Sequence, residues 1–171
     1  MKIIKIVSVS IVLMLLSSTF NLSQGRNLWY NEGRRGNIEI ETGSTLSRTF
    51  AASILTSHGY SNGKGWYFGA GTGIFANPYD CGFFALPIFA DMKYSFNDSN
   101  SSPFLAMKLG SLFYMEDLTA GVLLRPSVGV DIKSTSISIG YGFYTGIEAI
   151  GNIEYIDFTK HSFMVSVAWW F

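Results

Sequence analysis

The side chains able to carry chemistry fall into two small groups, and the first contains the two histidines of the chain. His58 and His161 each have a serine directly beside them. A serine hydrolase needs a nucleophile, a general base and an orienting acid within hydrogen-bonding distance of one another. Neighbouring residues of a β-strand point to opposite faces, so neither serine–histidine pair forms such a site by itself within a strand. We therefore interpret both as polar residues near strand ends, with His58 at a turn and His161 near the opposite rim, and expect no catalytic residues.

Six charged residues form the second group, and alternation in their strands places them on one face. They are Glu39, Glu41, Asp91, Lys93, Lys108 and Arg125. An unpaired charge in a narrow space of low dielectric constant is costly, so acids and bases that point into a small barrel should pair with each other. We interpret the six as a polar network that fills the interior. The alternative is a gated polar path for small solutes.

The remaining motifs indicate no metal, cofactor or nucleic acid. Cys81 and two separated histidines do not form a zinc ligand set. The glycines of GAGTG at 69–73 recur every second residue and no helical pattern follows, unlike the G-x-G-x-x-G turn that binds dinucleotide phosphates. Arg34 and Arg35 form one isolated basic pair, whereas nucleic-acid surfaces carry larger basic patches. We interpret Cys81 as a passive loop side chain rather than a reactive thiol.

The first residues have the organisation of a secretory signal peptide. Lys2 and Lys5 precede the apolar run IVSVSIVLMLL, and small polar residues follow it. This run is too short for a transmembrane helix, which needs about 20 apolar residues. We expect cleavage near Ser23, so that 1–23 is the signal peptide, 24–35 a short N-terminal segment and 36–171 one domain.

The mature chain is long enough for one domain and low in charge. About 148 residues remain after removal of 1–23, with ten basic and twelve acidic residues and a net charge of about −2. A single cysteine excludes an internal disulfide, so the stability of the domain must come from other interactions.

Alternation of apolar and polar residues with a period of two organises this domain into eight runs, bounded by Gly, Asn, Ser or Asp. The runs cover approximately 36–42, 48–57, 65–75, 84–96, 103–114, 120–131, 134–145 and 161–171. They predict an all-β protein with eight antiparallel strands in up-and-down order.

The two faces of each run decide which side of the sheet is buried. In the last run, Phe163, Val165 and Val167 alternate with Ser162 and Ser166. A soluble barrel would turn the apolar face inward and carry many charges outside, but here the second face is small, glycine-rich or singly charged. The pattern instead predicts a transmembrane β-barrel with apolar residues facing lipid and small or polar ones inside. Aromatic residues near strand ends form the expected interfacial belts; they are Trp66, Tyr94, Phe96, Phe143, Trp169 and Phe171.

Closure of the barrel requires the last strand to pair with the first. The even number of strands and the alternating connections fit a barrel with both termini at the periplasmic side. The longer connections then lie outside the cell, and GIEAIGNIEYIDFTK is the longest. An aromatic and acidic rim on these outer loops leaves a surface partner open. The rim residues, which either pack together or extend the last two strands as a hairpin, are Tyr79, Glu148, Glu154, Tyr155, Ile156 and Asp157.

The order of the strand sequences resembles the small eight-stranded outer-membrane β-barrel proteins of gram-negative bacteria. The resemblance runs from about Gly36 to the end, through LTSHGY, WYFGAGTGI, LPIFADMKYSF, SPFLAMKLG, LRPSVGVDI and ISIGYGF. It implies residence in the outer membrane, and recognition of the terminal Trp169 and Phe171 by the machinery that inserts such barrels. The WWF ending and the apolar IEYI in the last loop depart from the group.

These inferences predict a monomeric outer-membrane barrel with a structural or surface-interaction role, little or no solute conduction and no enzymatic activity. Its expected partners are outer-membrane lipid and, during assembly, the insertion machinery. A narrow porin-like channel is the alternative. A barrel enzyme that modifies lipid A or phospholipid is the less favoured third interpretation.

Overall fold

The computed structural model describes residues 28–45, 50–76, 84–114, 120–150 and 154–171. The predicted signal peptide and the loop residues Tyr79 and Cys81 lie outside these ranges. No helix in the described ranges is long and apolar enough to cross a membrane.

Within those ranges the chain forms a short 3-10 turn, Leu28–Tyr30, and eight strands. The strands are β1 Glu32–Thr45, β2 Phe50–Asn62, β3 Trp66–Ala76, β4 Phe84–Ser95, β5 Ser101–Tyr114, β6 Ala120–Ile132, β7 Thr135–Ile150 and β8 Glu154–Trp170. Each strand pairs antiparallel with the next, and β1 pairs with β8 to close the barrel. The predicted eight-stranded up-and-down barrel is therefore confirmed.

Several strands are longer than the alternation indicated. β1 begins at Glu32 rather than Gly36, and β2 continues to Asn62 rather than ending at Ser57. These extensions pair polar and glycine residues, which carry no alternating apolar signal. A strand beyond the apolar band still needs its backbone groups hydrogen-bonded, and the neighbouring strand supplies the partners.

The longest predicted loop is mostly a continuation of two strands. Backbone pairing between β7 and β8 extends to Ile150 opposite Glu154, which leaves 151–153 as the connection. Of the two arrangements expected for this segment, the backbone adopts the extended hairpin.

The two ends of the barrel differ, and we name them by their connections. The turn end carries the links at 63–65, 96–100 and 133–134, together with the 3-10 turn and the C terminus. The loop end carries the links at 46–49, 77–83, 115–119 and 151–153. Lys133, in the two-residue link, has a positive φ of 57°, as a tight hairpin requires.

The outer face of the barrel wall is apolar, and the charged side chains of the predicted network lie on the inner face. Ile88, Ile139 and Val165 on the outer face are 51%, 62% and 50% exposed. Lys93 and Lys108 on the inner face are only 2% and 6% exposed. This distribution is the inverse of a soluble barrel and agrees with the predicted assignment of the two faces.

Aromatic residues ring the outer face at both ends. At the turn end, the Trp66 ring lies 4.7 Å from that of Tyr94, which in turn lies 5.1 Å from the Phe96 ring. At the loop end, Phe50 and Phe84 are about half exposed. Two aromatic belts that flank an apolar band are the arrangement of a barrel that spans a bilayer.

The glycine string of β3 makes room for large inward side chains from its neighbours. A Cβ added to Gly71 would lie 2.5 Å from Cζ of Phe89 and 2.6 Å from the Thr56 carbonyl oxygen. Phe89 lies directly opposite Gly71 on β4 and is 3% exposed. Glycine at this position therefore lets an aromatic ring enter the narrow interior.

We expect Gly71→Val to lower the free energy of unfolding by about 1–3 kcal/mol, because the added side chain overpacks against Phe89. Unfolding in urea from detergent micelles measures the change. Ala70→Val, one residue earlier on the outer face, is the matched control and should leave stability nearly unchanged. Equal losses for the two variants would contradict the packing argument.

The filled lumen as candidate functional site

Inward side chains fill the lumen in three layers, which we name from one end to the other. The apolar layer lies at the loop end, the ionic layer in the middle and the aromatic layer at the turn end. All six charged residues of the predicted network lie inside the barrel and are buried.

The apolar layer consists of inward residues from seven of the eight strands, packed as one buried cluster. Its members are Ala51, Leu55, Phe75, Ala85, Phe89, Leu112, Leu123, Tyr144 and Met164. The sequence predicted an interior of small and polar residues, and this layer is a correction. The glycines of the wall leave space that large apolar side chains occupy.

Arg125 and Glu41 form the ion pair next to the apolar layer. The Arg125 guanidinium donates to the Glu41 carboxylate and, at 2.7 Å, to the Tyr144 hydroxyl oxygen. Ser53 donates a further hydrogen bond to the same carboxylate oxygen of Glu41. A buried charge pair with additional hydrogen bonds satisfies the condition under which burial is tolerated.

A second pair and a separate acid complete the middle of the lumen. Nζ of Lys108 lies 2.8 Å from Oε2 of Glu39. Asp91 instead accepts a hydrogen bond of 2.7 Å from the Ser57 hydroxyl, whose oxygen also lies 2.8 Å from the Tyr67 hydroxyl. Asp91 is therefore held by a hydroxyl network rather than by one of the three ion pairs.

Lys93 pairs with an acid outside the predicted six. Its ammonium lies 2.5 Å from Oδ1 of Asp131 and donates to the Ser136 hydroxyl at 2.8 Å. The other carboxylate oxygen of Asp131 accepts from Ser95 at 3.3 Å. Alternation along β6 places the Asp131 side chain inside the barrel, but only the structure shows that it pairs with Lys93.

Three aromatic rings close the turn end around the same ammonium group. Nζ of Lys93 lies 4.3 Å from the ring centroid of Trp29, 3.8 Å from that of Phe104 and 4.7 Å from that of Trp170. Trp29 and Trp170 meet edge to face with centroids 4.4 Å apart, and Tyr67 lies 5.1 Å from Trp170. Desolvated cation–π contacts of this kind contribute about 2 kcal/mol.

Trp29 enters the barrel from the N-terminal segment and is completely buried. Its carbonyl oxygen accepts hydrogen bonds of 3.0 Å from the Ser61 hydroxyl and of 3.0 Å from the Gly65 N–H. The next residue, Tyr30, donates its hydroxyl to the Ser95 carbonyl at 3.2 Å. Desolvation raises the pKa of Tyr30 above the ordinary value, so the phenol remains the donor at neutral pH. The 3-10 turn thus caps the turn end.

The histidines lie on the outer face, away from the serines beside them. His58 lies within β2 rather than at a turn, because β2 extends beyond the predicted end, and its ring packs against Phe171 at 6.0 Å. His161 lies on β8 and its Nδ1 is hydrogen-bonded to the Tyr141 hydroxyl. Ser57 and Ser162 are buried inside. No group of His, Cys, Asp and Glu among the described residues could hold a metal ion.

The C-terminal residues alternate across the wall. Phe171 is 64% exposed on the outer face, and Trp169 is half-buried on the same face. Backbone hydrogen bonds of 2.8 and 2.9 Å join Phe171 to Gly36. Trp170 points inward and donates its indole N–H to Ser136 at 2.7 Å. Of the three terminal aromatic residues, Trp170 therefore lies in the lumen, and Trp169 and Phe171 lie on the outer wall.

Little empty space remains between the ionic and aromatic layers. The cavity there measures about 20 Å³ and is bordered by Glu39, Lys93, Lys108 and Trp170. A cavity of this size holds about one water molecule. Between these two layers, the described residues leave room for about one water and hold the charges in fixed positions.

Several residues of the site were missed in the sequence. Trp29 lies in a segment without alternation, and only the aromatic LWY in a polar stretch could have marked it. Alternation along β3 and β7 places the Tyr67 and Tyr144 side chains inside the barrel. A complete list of the large residues on the inward face would therefore have included them.

Two solved structures with a similar architecture are outer-membrane barrels. The crystal structure of the outer membrane enzyme PagL gives a TM-score of 0.56 at 12% identity, over 77% of this chain and 97% of that chain. The N-terminal β-barrel domain of Pseudomonas aeruginosa OprF gives a TM-score of 0.51 at 11% identity, over 82% of this chain and all of that domain. No protein-family description and no curated protein matches the sequence. At such identities the likeness shows the fold alone, and the chain has the fold of the small outer-membrane β-barrels.

Proposed function

We propose that the protein resides in the outer membrane of a gram-negative bacterium as a filled barrel with a structural or surface-interaction role and little or no solute conduction. The observation that carries this proposal is the lumen, which three ion pairs, an aromatic cap and an apolar cluster occupy. Eight strands enclose an interior just wide enough for side chains. The apolar outer wall and the two aromatic belts support placement in a bilayer.

A non-catalytic role is part of the proposal. The two serines next to histidines face the lumen, whereas both histidines face outward, so these groups do not assemble a nucleophile with its base. Trp169 and Phe171, on the outer wall at the chain end, would be read by the insertion machinery during assembly. The extended β7–β8 hairpin at the loop end is where a surface partner would bind.

Replacement of Lys108 by methionine tests the filled lumen against a narrow channel. We expect no single-channel steps in planar bilayers for either the wild-type protein or the variant, because the apolar and aromatic layers still close the barrel. The variant should lose about 1.5–3 kcal/mol of stability, since Glu39 loses one charge-assisted hydrogen bond but keeps its interactions with the Arg125 charge and the Ser166 hydroxyl. Conductance steps in the wild type that change with Lys108→Met would overturn the filled barrel in favour of a channel.

Membrane placement has its own test. A closed outer-membrane barrel in the membrane fraction should migrate faster on a gel before boiling than after it. Recovery of the protein in buffer without detergent would contradict this part of the proposal.

A further inference from the structure

A depression of about 560 Å³ lies on the outer wall at the turn end, apart from the lumen. Arg34, Gly36, His58, Tyr60 and Phe171 border it. Arg34 lies directly opposite Tyr60, and Gly36 opposite His58, so the four form successive outer-face pairs of β1 and β2, with the pair Arg35–Gly59 between them. Phe171 joins from the other side of β1 through its backbone hydrogen bonds to Gly36.

Glycine at position 36 shapes this depression. A Cβ there would lie 2.7 Å from the Phe171 ring and 2.8 Å from Nδ1 of His58. Without it, both rings lie against the β1 backbone and meet edge to face. They form a fixed aromatic wall beside the Arg34 side chain.

Among the described residues around the depression, the charged groups other than Arg34 have partners. Arg35 donates to the carbonyl oxygens of Leu28 and Asn31, at 3.4 and 3.3 Å. The Glu32 carboxylate accepts a hydrogen bond from the Tyr60 hydroxyl.

The C-terminal residue is engaged as well, because the Phe171 carbonyl oxygen accepts from the Gly36 N–H at 2.8 Å. Arg34 is exposed on the outer face, and within the described ranges no side-chain hydrogen bond or ion pair engages its guanidinium. A planar guanidinium without a partner is the preferred protein group for bidentate contact with phosphate oxygens.

The position of Arg34 along the wall identifies the source of such a phosphate. Ile38 and Ile40, the next outward residues of β1 after Gly36, are 48% and 42% exposed and begin the apolar band. The guanidinium therefore lies at the boundary where polar wall becomes apolar wall. A lipid whose phosphate reaches Arg34 would lay its acyl chains along the isoleucines.

We propose that this depression binds the phosphate group of a phospholipid in the leaflet at the turn end, with Arg34 as the principal contact and the rings of Tyr60, His58 and Phe171 as its walls. The inference rests on the proposed membrane location and adds a defined lipid site to it.

Native mass spectrometry of the full barrel in a neutral detergent tests the site with phosphatidylglycerol as the probe. We expect one tightly bound lipid on the wild type and about tenfold weaker binding by Arg34→Gln, which loses a charge-assisted contact. Arg34→Lys keeps the charge but loses the bidentate fork, so its affinity should fall between those of the wild type and Arg34→Gln. Lys64→Gln, which removes an exposed cation from the same end of the barrel, is the matched control and should bind as the wild type does.

Two further ligands show whether the site recognises a lipid phosphate, the acyl chains alone or free phosphate. Diacylglycerol with the same acyl chains should not occupy the site, and inorganic phosphate should not displace the bound lipid. Three outcomes would overturn the proposal: equal lipid binding by Arg34→Gln and the wild type, equal binding of diacylglycerol, or displacement of the lipid by inorganic phosphate. In each case gel migration would still show a membrane barrel, so the membrane location would stand. A wild-type protein that does not behave as a membrane barrel would overturn the membrane location, and the lipid site with it.

Discussion

Arg125→Met should lower the free energy of unfolding by about 3–5 kcal/mol, the cost of leaving a buried charge without its partner. Glu41 is 2% exposed, and among the residues that the structure describes it would keep only the Ser53 hydroxyl as a hydrogen-bond donor. The Tyr144 hydroxyl would also lose the guanidinium that donates to it. Urea titration in detergent micelles measures the loss. The fraction of protein that migrates on a gel as the folded barrel is read at each urea concentration.

The double variant Arg125→Met with Glu41→Gln distinguishes loss of charge pairing from loss of packing. Removing both charges leaves no uncompensated ion, so most of the stability should return. If the double variant is as unstable as Arg125→Met alone, the loss comes from the shape of the arginine side chain and the ion-pair argument fails.

The separation of Glu41 and Arg125 shows what alternation can and cannot predict. Parity alone places both side chains inside, because each lies on the face opposite to apolar neighbours. The two are 84 positions apart and lie on β1 and β6, which are not adjacent in the barrel. Their contact crosses the lumen and depends on the stagger of the closed sheet, which no local pattern encodes.

The same limit explains the partners of the other charges. Lys93 and Asp91 are both inward on β4, yet Lys93 pairs with Asp131 of β6 and Asp91 is held by Ser57 of β2. The sequence predicts that inward acids and bases pair. Which residues pair depends on their positions along the barrel axis, which are set when the sheet closes.

The apolar layer was missed for a related reason. Leu55 and Phe89 point inward directly opposite glycines of the neighbouring strand, Gly73 and Gly71 respectively. The size of an inward side chain is set by its cross-strand neighbours as well as by its own strand. A strand-by-strand count of polar residues therefore underestimates how much of the lumen is apolar.

Trp29 is the residue whose importance the sequence conceals most, because it belongs to no strand. Its ring fills the turn end against Tyr67 and Trp170 and covers the Lys93 ammonium. Its carbonyl oxygen also accepts hydrogen bonds from Ser61 and Gly65, which fix the 3-10 turn to the barrel. The cap thus joins the N-terminal segment to β2, β3 and β8.

We expect Trp29→Ala to cost about 3–5 kcal/mol of stability, as for other fully buried aromatic side chains cut back to alanine. Removal of the ring should also expose the Lys93 ammonium to the solution at the turn end, so an amine-reactive reagent should modify Lys93 in the variant and not in the wild type. Urea unfolding and peptide mapping of the labelled, folded barrel measure the two effects.

Trp66→Ala is the matched control, because Trp66 lies at the same end of the barrel but points outward and is 41% exposed. Its loss removes stacking against Phe68 and a tilted ring contact with Tyr94, both on the outer wall, and leaves the lumen closed. Stability should therefore fall by only about 1 kcal/mol, and Lys93 should stay unlabelled. Trp29→Phe keeps an apolar ring in the cap and should fall between the two. Labelling of Lys93 in the wild type at the rate seen for Trp29→Ala would show that Trp29 does not cover this ammonium.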